Sequence, residues 1–511
     1  MTNMNWEKLQ NGSDIRGVAL EGVEGEAVNL TPDVAEVLGK AFVKWLKKFS
    51  QQADVSIAVG TDSRISGPVL KNAFITGMSQ AGAKVFDCGL ASTPAMFMTT
   101  VSGEKSTTAG VMITASHLPF NRNGLKFFTN QGGLDKKDIT EILRIAKDSD
   151  FDKVGSTSTV NTRNFIDEYS EFLVNYIRTK SNVDKNFKKP LQGLKIIVDA
   201  GNGAGGFFAS KVLDQLGADT TGSQFLDPDG NFPNHVPNPE DKDAMQSVCD
   251  AVIREKADLG VIFDTDVDRS AIVDANGNPV NRNALIAMIS AVVLQEHPGS
   301  TIVTDSITSE GLTRFIEKEL KGKHHRFQRG YKNVINESIR LNEVGEESWL
   351  AIETSGHAAL KENYFLDDGA YLVAKLLVEM AKLNAKGLTL PDLIESLEQP
   401  FDSREFRFTI SEEDFGKYGK RVLPELETKV NQQDGWEVVS PNHEGLRVRC
   451  TSSNEKGWFL LRMSLHDPVM PLNIESDVIG GVEAIAAKLE KLLADFQGLN
   501  TDVLKYKSRM A

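Results

Sequence analysis

Apolar and polar positions follow one another in blocks along this chain of 511 residues, and three of the blocks look alike. Ser56-Ile57-Ala58-Val59 leads into the polar loop Gly60-Thr61-Asp62-Ser63-Arg64-Ile65-Ser66-Gly67. Lys195-Ile196-Ile197-Val198 leads into a loop from Asp199 to Gly206, and Thr301-Ile302-Val303 into one from Thr304 to Gly311. Each apolar run ends at a valine, and a glycine closes the loop eight residues later. A helical segment follows each time, then a second strand-like run: Ala83 to Asp87, Ala218 to Phe225, and His325 to Gln328. A repeated β-loop-α-β unit is the pattern of parallel sheets with right-handed crossovers. Three α/β domains of related topology, with mainly parallel mixed sheets, are expected.

The remaining blocks extend this picture. Asp33 to Phe49 carries apolar residues at helical spacing, and the run Ala109 to Ile113 reads as a buried strand. Asn164 to Ile177 predicts a helix joining the first domain to the second, and Pro228 to Pro239 is a proline-dense irregular loop. Near Pro400 to Ser403 the pattern changes to short alternating runs, Glu405 to Ile410, Trp436 to Val439, Leu446 to Cys450 and Trp458 to Met463. A closing helix spans Ile479 to Phe496, so the C-terminal part reads as α+β. The expected domains are residues 1–180, 181–297, 298–400 and 401–511.

Composition narrows the class. Hydrophobic content of 40% and charged content of 25% describe an ordinary soluble protein. A net charge of −14 argues against nucleic-acid binding, which depends on neutralising phosphates, yet a local cluster of cations still holds a small phosphorylated ligand. Cys88, Cys249 and Cys450 show no paired ligand spacing and fit buried thiols in a reducing compartment. The segment Met1 to Glu7 has no signal-peptide pattern, and no apolar stretch reaches the roughly 18 residues of a membrane span. A cytoplasmic protein without a membrane partner is expected.

Several loops carry chemistry. The strand at Ala109 runs into Thr114-Ala115-Ser116-His117-Leu118-Pro119-Phe120-Asn121, which places Ser116 and His117 where open α/β sheets bind ligands. Serine needs an electrophilic partner or a base to react at neutral pH. Taken alone, this is also the composition of a plain surface loop. Gly124 then bends the chain back toward Lys126. Asp264-Thr265-Asp266-Val267-Asp268-Arg269 sets three carboxylates at alternate positions past an apolar run. Hard oxygen ligands at that density suit Mg2+ better than zinc. Glu353-Thr354-Ser355-Gly356-His357 sets a carboxylate and a hydroxyl on a tight turn, by itself an unremarkable loop. Lys126 and Lys332 are candidate acid/base groups where burial and cationic neighbours lower their pKa. Arg462-Met463-Ser464-Leu465-His466-Asp467-Pro468 joins an arginine, a hydroxyl and a histidine in one loop. The loop Gly201-Asn202-Gly203-Ala204-Gly205-Gly206, with Asp227 beyond it, matches a dinucleotide fingerprint. Its sister loops lack that glycine pattern, so it is read as scaffold.

These motifs together resemble the α-D-phosphohexomutases, the phosphoglucomutase/phosphomannomutase family, over essentially the whole chain. The loop at Ser116 is similar to the family's T-A-S-H-N-P, with Leu118 in place of Asn. The acidic loop is similar to D-G-D-x-D-R, with Thr265 in place of Gly. Glu353 to His357 resembles G-E-x-S-G-H, Gly330-Tyr331-Lys332 resembles G-x-K, and Arg16 matches the arginine of G-T-D-x-x-R-G. The phosphate loop R-x-S-G-T-E-P is matched at Arg462, Ser464 and Pro468, whereas Leu465, His466 and Asp467 depart from it. Pro471 falls where the family has a second arginine.

The resemblance implies four domains around a central cleft and a phosphoryl group carried on Ser116 between C1 and C6 of a hexose, through a bisphosphorylated sugar. It implies Mg2+ held by Ser116, Asp264, Asp266 and Asp268, with Arg269 as charge partner. Ser116, His117, Lys126, Lys332 and Arg16 form the implied catalytic set. Glu353, Ser355, His357, Arg462, Ser464 and His466 form the implied substrate-binding set. Glucose and mannose phosphates are the expected substrates. The alternatives are a phosphoglucosamine mutase, or a sugar-phosphate-binding protein with little turnover. The assembly is left open between monomer and homodimer.

Overall fold

The helix Pro32–Ser50 shows how the sequence pattern becomes structure. Thr31 accepts the Val34 amide at 3.3 Å, Pro32 sits in the first turn, and Gln51 leaves the helix in a left-handed conformation. Val34, Leu38, Ala41, Phe42, Trp45 and Leu46 form its buried stripe, where the Phe42 ring lies 4.7 Å from that of Phe127. In this computed structural model, residues 4–149, 151, 158–182, 186–464 and 467–505 are described. The chain forms two compact units, residues 1–281 with 355–392, and residues 282–354 with 393–511.

The first unit contains two sheets. In the larger one, Ser56–Thr61 lies between Lys84–Leu90 and Ala109–Ile113, parallel to both. Arg122–Thr129 and Asp14–Val18 continue it as antiparallel strands. The second sheet pairs Ile196–Asp199 in parallel with Leu259–Phe263, which turns back as an antiparallel hairpin into Ser270–Asp274. The last pair of that hairpin is Phe263 with Ser270, so Asp264 to Arg269 form its turn. The buried helix Gly369–Asn384 also belongs to this unit, as does the short hairpin Ala358–Leu360 with Leu366–Asp367.

In the second unit, Thr301–Asp305 lies between Lys323–Phe327 and Ser348–Ile352, parallel to both. A separate antiparallel sheet runs in the order Trp436–Val438, Leu446–Cys450, Gly457–Leu461, Val469–Ser476, Asp402–Ile410, Leu499–Asn500. The helices Phe415–Val430 and Gly481–Leu493 contribute to its core. Three α/β layers with mixed sheets and a C-terminal α+β layer are thus present, as the sequence pattern implies. All three cysteines are buried and unbridged. Among the described residues, no helix is long and apolar enough to cross a membrane.

One expected strand is not there. The run Ala218 to Phe225 makes only isolated bridges, Lys195 with Asp219 and Asp199 with Gln224. Thr220, Thr221, Gly222 and Ser223 interrupt it, and the Ser223 hydroxyl accepts the Val198 amide that a neighbouring strand would have engaged.

The C-terminal sheet is tied to the parallel layer of its own unit by Arg447. This buried guanidinium donates to Ser306 O (2.8 Å), Thr308 O (3.0 Å) and Glu310 Oε1 (3.1 Å), and stacks 3.8 Å above the Trp458 ring. The Trp458 indole donates to buried Glu475 at 2.9 Å. Burial pushes the Glu475 carboxyl up to about 7, against the opposing pull of that hydrogen bond and of Arg447. The folded chain therefore holds a proton there that an ordinary glutamate, near 4.5, has already lost. Stability is lost as pH rises between those values, by no more than about 3 kcal/mol. Glu475→Gln keeps an acceptor for Trp458 and is expected to flatten the fall in melting temperature between about pH 5 and 7. An unchanged slope would clear Glu475 as its source.

Candidate active site

The strand Ala109–Ile113 is wholly buried, and its polar continuation stays buried with it: Thr114, Ala115 and Ser116 expose 4% or less. Ser116 has φ of 52°, a conformation that a residue other than glycine seldom adopts. The Thr114 hydroxyl accepts the Ser116 amide at 2.8 Å and itself donates to Asp62 at 2.7 Å. The side chain is thereby aimed at the hairpin turn of the second sheet. Ser116 Oγ donates to Asp264 Oδ2 at 3.0 Å and accepts from Arg269 Nη2 at 3.1 Å.

That turn is built by packing as much as by charge. Val267 is fully buried at φ of 67°, an outlier for a β-branched residue, and its carbonyl accepts the Gly369 amide. Gly203 lies so close that an added Cβ would be 2.7 Å from Thr265 O, and the Ala204 amide donates to that oxygen at 2.8 Å. A Cβ on Gly206 would meet Leu226 O at 2.3 Å. The glycine loop read from the sequence as scaffold therefore braces the acidic turn, and its glycines are needed for close backbone approach.

Asp264, Asp266 and Asp268 are buried and present one oxygen each within 4.8 Å of one another. Asp266 Oδ1 and Asp268 Oδ1 have no hydrogen-bond partner among the described residues. Buried carboxylate oxygens left in this way, converging with a serine hydroxyl, fit a hard divalent cation. Burial, then the Asp268 charge, pushes the Asp264 carboxyl far above its ordinary range. Burial pushes Asp268 up as well, but Lys126, His357 and Arg269 together outweigh it and hold this carboxyl below its ordinary range. Lys126 Nζ is 3.0 Å from Asp266 and 2.5 Å from Asp268.

Arg269 links both loops. It donates through Nε and Nη2 to Asp264, through Nη1 to Asn238, and through Nη2 to His117 Nδ1 at 2.7 Å. Burial, followed by the Arg269 charge, holds the His117 pKa down at about 3. The ring is neutral at physiological pH, with Nδ1 as acceptor. Arg16 donates to Ala115 O at 3.2 Å and pairs with Asp14 at 3.1 Å. His357 forms a backbone bridge with Arg269, meets the Ser355 hydroxyl at 2.9 Å, and sets Nε2 3.8 Å from Asp268 and 3.7 Å from Asp367. Burial, foremost, keeps it neutral.

Ser116, His117, Arg16, Lys126, the three aspartates, Arg269 and His357 thus converge within the first unit. In the second unit, Glu353 accepts the Gly330 amide at 2.6 Å, two residues before Lys332 in the first turn of the helix Tyr331–Glu343. Arg462 and Ser464 occupy the connection between Gly457–Leu461 and Val469–Ser476, with the Ser464 amide on Val469 O at 3.0 Å. His466 and Leu465 lie outside the described residues.

Two contributors went unseen in the sequence. Thr93 donates its amide to Asp266 O at 2.8 Å and its hydroxyl to Asp266 Oδ2 at 2.5 Å. Arg64 grips the carbonyls behind Ser116. The loop Gly60 to Gly67, one of three that follow a strand in the repeated unit, was the available signal for Arg64, although its arginine has no counterpart in the sister loops; Thr93 had none.

Family models described as phosphoglucomutase/phosphomannomutase alpha/beta/alpha domains I, II and III match residues 7–153, 167–277 and 281–401. The phosphoglucomutase of Neisseria gonorrhoeae is 29% identical over 481 residues, covering 94% of this chain and 95% of the relative. The phosphomannomutase/phosphoglucomutase of Pseudomonas syringae pv. tomato is 30% identical over 488 residues, with 94% and 95% covered. The crystal structure of a phosphoglucomutase/phosphomannomutase family protein from Burkholderia thailandensis matches with a TM-score of 0.78 at 27% identity, covering 97% of this chain and 99% of that one.

Proposed function

This chain belongs to the phosphoglucomutase/phosphomannomutase family, and from that premise we propose that it moves a phosphoryl group between C1 and C6 of glucose and mannose by way of phosphorylated Ser116. It is a hexose-phosphate mutase, an intramolecular phosphotransferase of the isomerase class. One observation carries the reading: Ser116 Oγ lies 3.0 Å from Asp264 and 3.1 Å from Arg269. The oxygen that would bear phosphorus thus sits between a carboxylate cluster suited to a dication and a guanidinium suited to phosphate.

In the first half-reaction, the free hydroxyl oxygen of a hexose monophosphate bonds to phosphorus as the Ser116 Oγ–P bond breaks. The hydroxyl proton leaves to a base. The bisphosphorylated sugar then turns end over end. In the second half, Ser116 Oγ bonds to the other phosphorus, that sugar-oxygen–phosphorus bond breaks, and a proton returns to the sugar oxygen. Phosphoryl transfer gains most from fixed charge placed around the moving group. Arg269 and Arg16 are assigned that task, and neutral His117 keeps the Arg269 guanidinium turned toward Ser116. Lys126, an ammonium held between Asp266 and Asp268, is assigned the proton that returns to the sugar oxygen. Asp264, Asp266, Asp268 and phosphorylated Ser116 would hold Mg2+, which when bound offsets charge on the transferring group. Ser355 and His357 are assigned to the sugar. In the second unit, Glu353 and Lys332 are assigned to sugar hydroxyls, and Arg462, Ser464 and His466 to a phosphate.

Intact mass of the purified chain after exposure to a hexose 1,6-bisphosphate tests the carrier. A gain of about 80 Da, mapping to Ser116, is expected. Turnover of glucose, mannose and glucosamine phosphates, measured side by side, tests the sugar. Turnover without phosphorylated Ser116, or only with glucosamine phosphate, would overturn the reading.

A further inference from the structure

Arg64 has no part in the steps above, yet it is among the largest fully buried side chains in the protein. Its guanidinium donates to Pro119 O at 2.8 Å, Arg122 O at 3.0 Å, Leu118 O at 2.6 Å and, at closer range, Ser116 O. Its Nε lies 3.4 Å from Asp62 Oδ2. Asp62 accepts the Arg64 amide and the Thr114 hydroxyl, the same hydroxyl that accepts the Ser116 amide. The Phe232 ring, 5.4 Å from the guanidinium, belongs to the proline-dense loop of the second domain. An added Cβ on Gly230 in that loop would lie 2.4 Å from Ile65 N. One buried arginine is therefore bonded to carbonyls at both ends of the Ser116 loop, and Asp62 connects it to the Ser116 amide.

We propose that Arg64 is the positioning residue of the phosphoryl carrier, holding Ser116 in its left-handed conformation so that Oγ faces Asp264 and Arg269. Left-handed backbone at a serine persists only where the surroundings over-determine it. Here that surrounding is a planar fork of donors which no other side chain reproduces. Lysine brings a charge, but its point-like ammonium lacks the span for four carbonyls on separate residues.

The catalytic half of this inference rests on Ser116 as carrier, and its structural half does not. The test therefore uses Arg64→Lys with two readouts. Hydrogen exchange in the peptide covering residues 114–122 is expected to speed up about tenfold while the strand Ala109–Ile113 is unchanged. With hexose 1-phosphate as substrate, kcat is expected to fall about 10- to 100-fold with KM nearly constant, because a misplaced carrier loses rate rather than binding. The kinetics are repeated well below the melting temperature of the variant, so that a loss from unfolding alone would disappear. Unchanged exchange in the loop, or a kcat loss that vanishes on cooling, would overturn the proposal. Absence of phosphorylated Ser116 in the parent protein would instead overturn the proposed function, and the exchange result would still decide the role of Arg64. If Arg64→Lys does not fold, Thr114→Val breaks the same tether at the Ser116 amide, and the same pair of readouts applies.

Discussion

Ser116→Ala is expected to abolish mutase turnover, lowering kcat by at least about 10,000-fold, and to remove the 80 Da phosphoryl adduct entirely. The magnitude follows from the role proposed for this oxygen. A group that becomes covalently bonded to the transferred atom is not replaced by its neighbours, and alanine carries no oxygen to bond to phosphorus. Stability should change little: the hydroxyl contributes contacts to Asp264 and Arg269, while the loop itself is fixed through backbone groups. A sensitive coupled assay together with intact mass checks both parts. Full turnover in this variant would end the phosphoserine mechanism.

Asp266→Asn is expected to cost about 1,000-fold in turnover, corresponding to roughly 4 kcal/mol of charge stabilisation lost from the transferring group. It has a second signature independent of turnover. Three carboxylates share this turn, offset among the described contacts by Lys126 and Arg269, so removing one relieves repulsion in the metal-free protein. The metal-free melting temperature should therefore hold or rise. The stabilisation expected from Mg2+ in the parent protein, about 2.7 kcal/mol at a hundredfold excess over Kd, should be lost. Thermal melts with and without Mg2+, and calorimetric titration, read this directly. A variant that still takes up Mg2+ with parental affinity would show that these carboxylates do not hold the metal.

Much of this site was legible because its chemistry is local in the chain. The strand Ala109–Ile113 is apolar throughout and ends where the loop begins, so its bounds could be read residue by residue. The alternating aspartates fill the turn of a hairpin whose register leaves them nowhere else to go. What escaped notice depends on distant partners. Arg64 looks like a solvated loop arginine until the carbonyls of residues 116–122 close around it, and Thr93 gains meaning only beside Asp266. Backbone acceptors leave no mark in sequence. The helix Phe415–Val430 was missed for a different reason, since Pro424 in its interior reads as a breaker. Pro471, marked only as an absent arginine, lies within the strand Val469–Ser476, and its carbonyl accepts the Arg462 amide.

Arg447 bears on how such a protein can be recombined. Counted along the chain, the C-terminal sheet is a separable module, open to exchange between relatives. Its hydrogen bonds say otherwise, for the carbonyls of Ser306 and Thr308 depend on an arginine supplied from strand Leu446–Cys450. A grafted module without that arginine would leave two buried acceptors unmet, and one that carried it into a loop of different shape would bury an unpaired cation. Inheritance in this lineage is therefore expected to pass the two pieces on together, and a chimaera joined near residue 400 needs both sides of the Arg447 contact drawn from one parent.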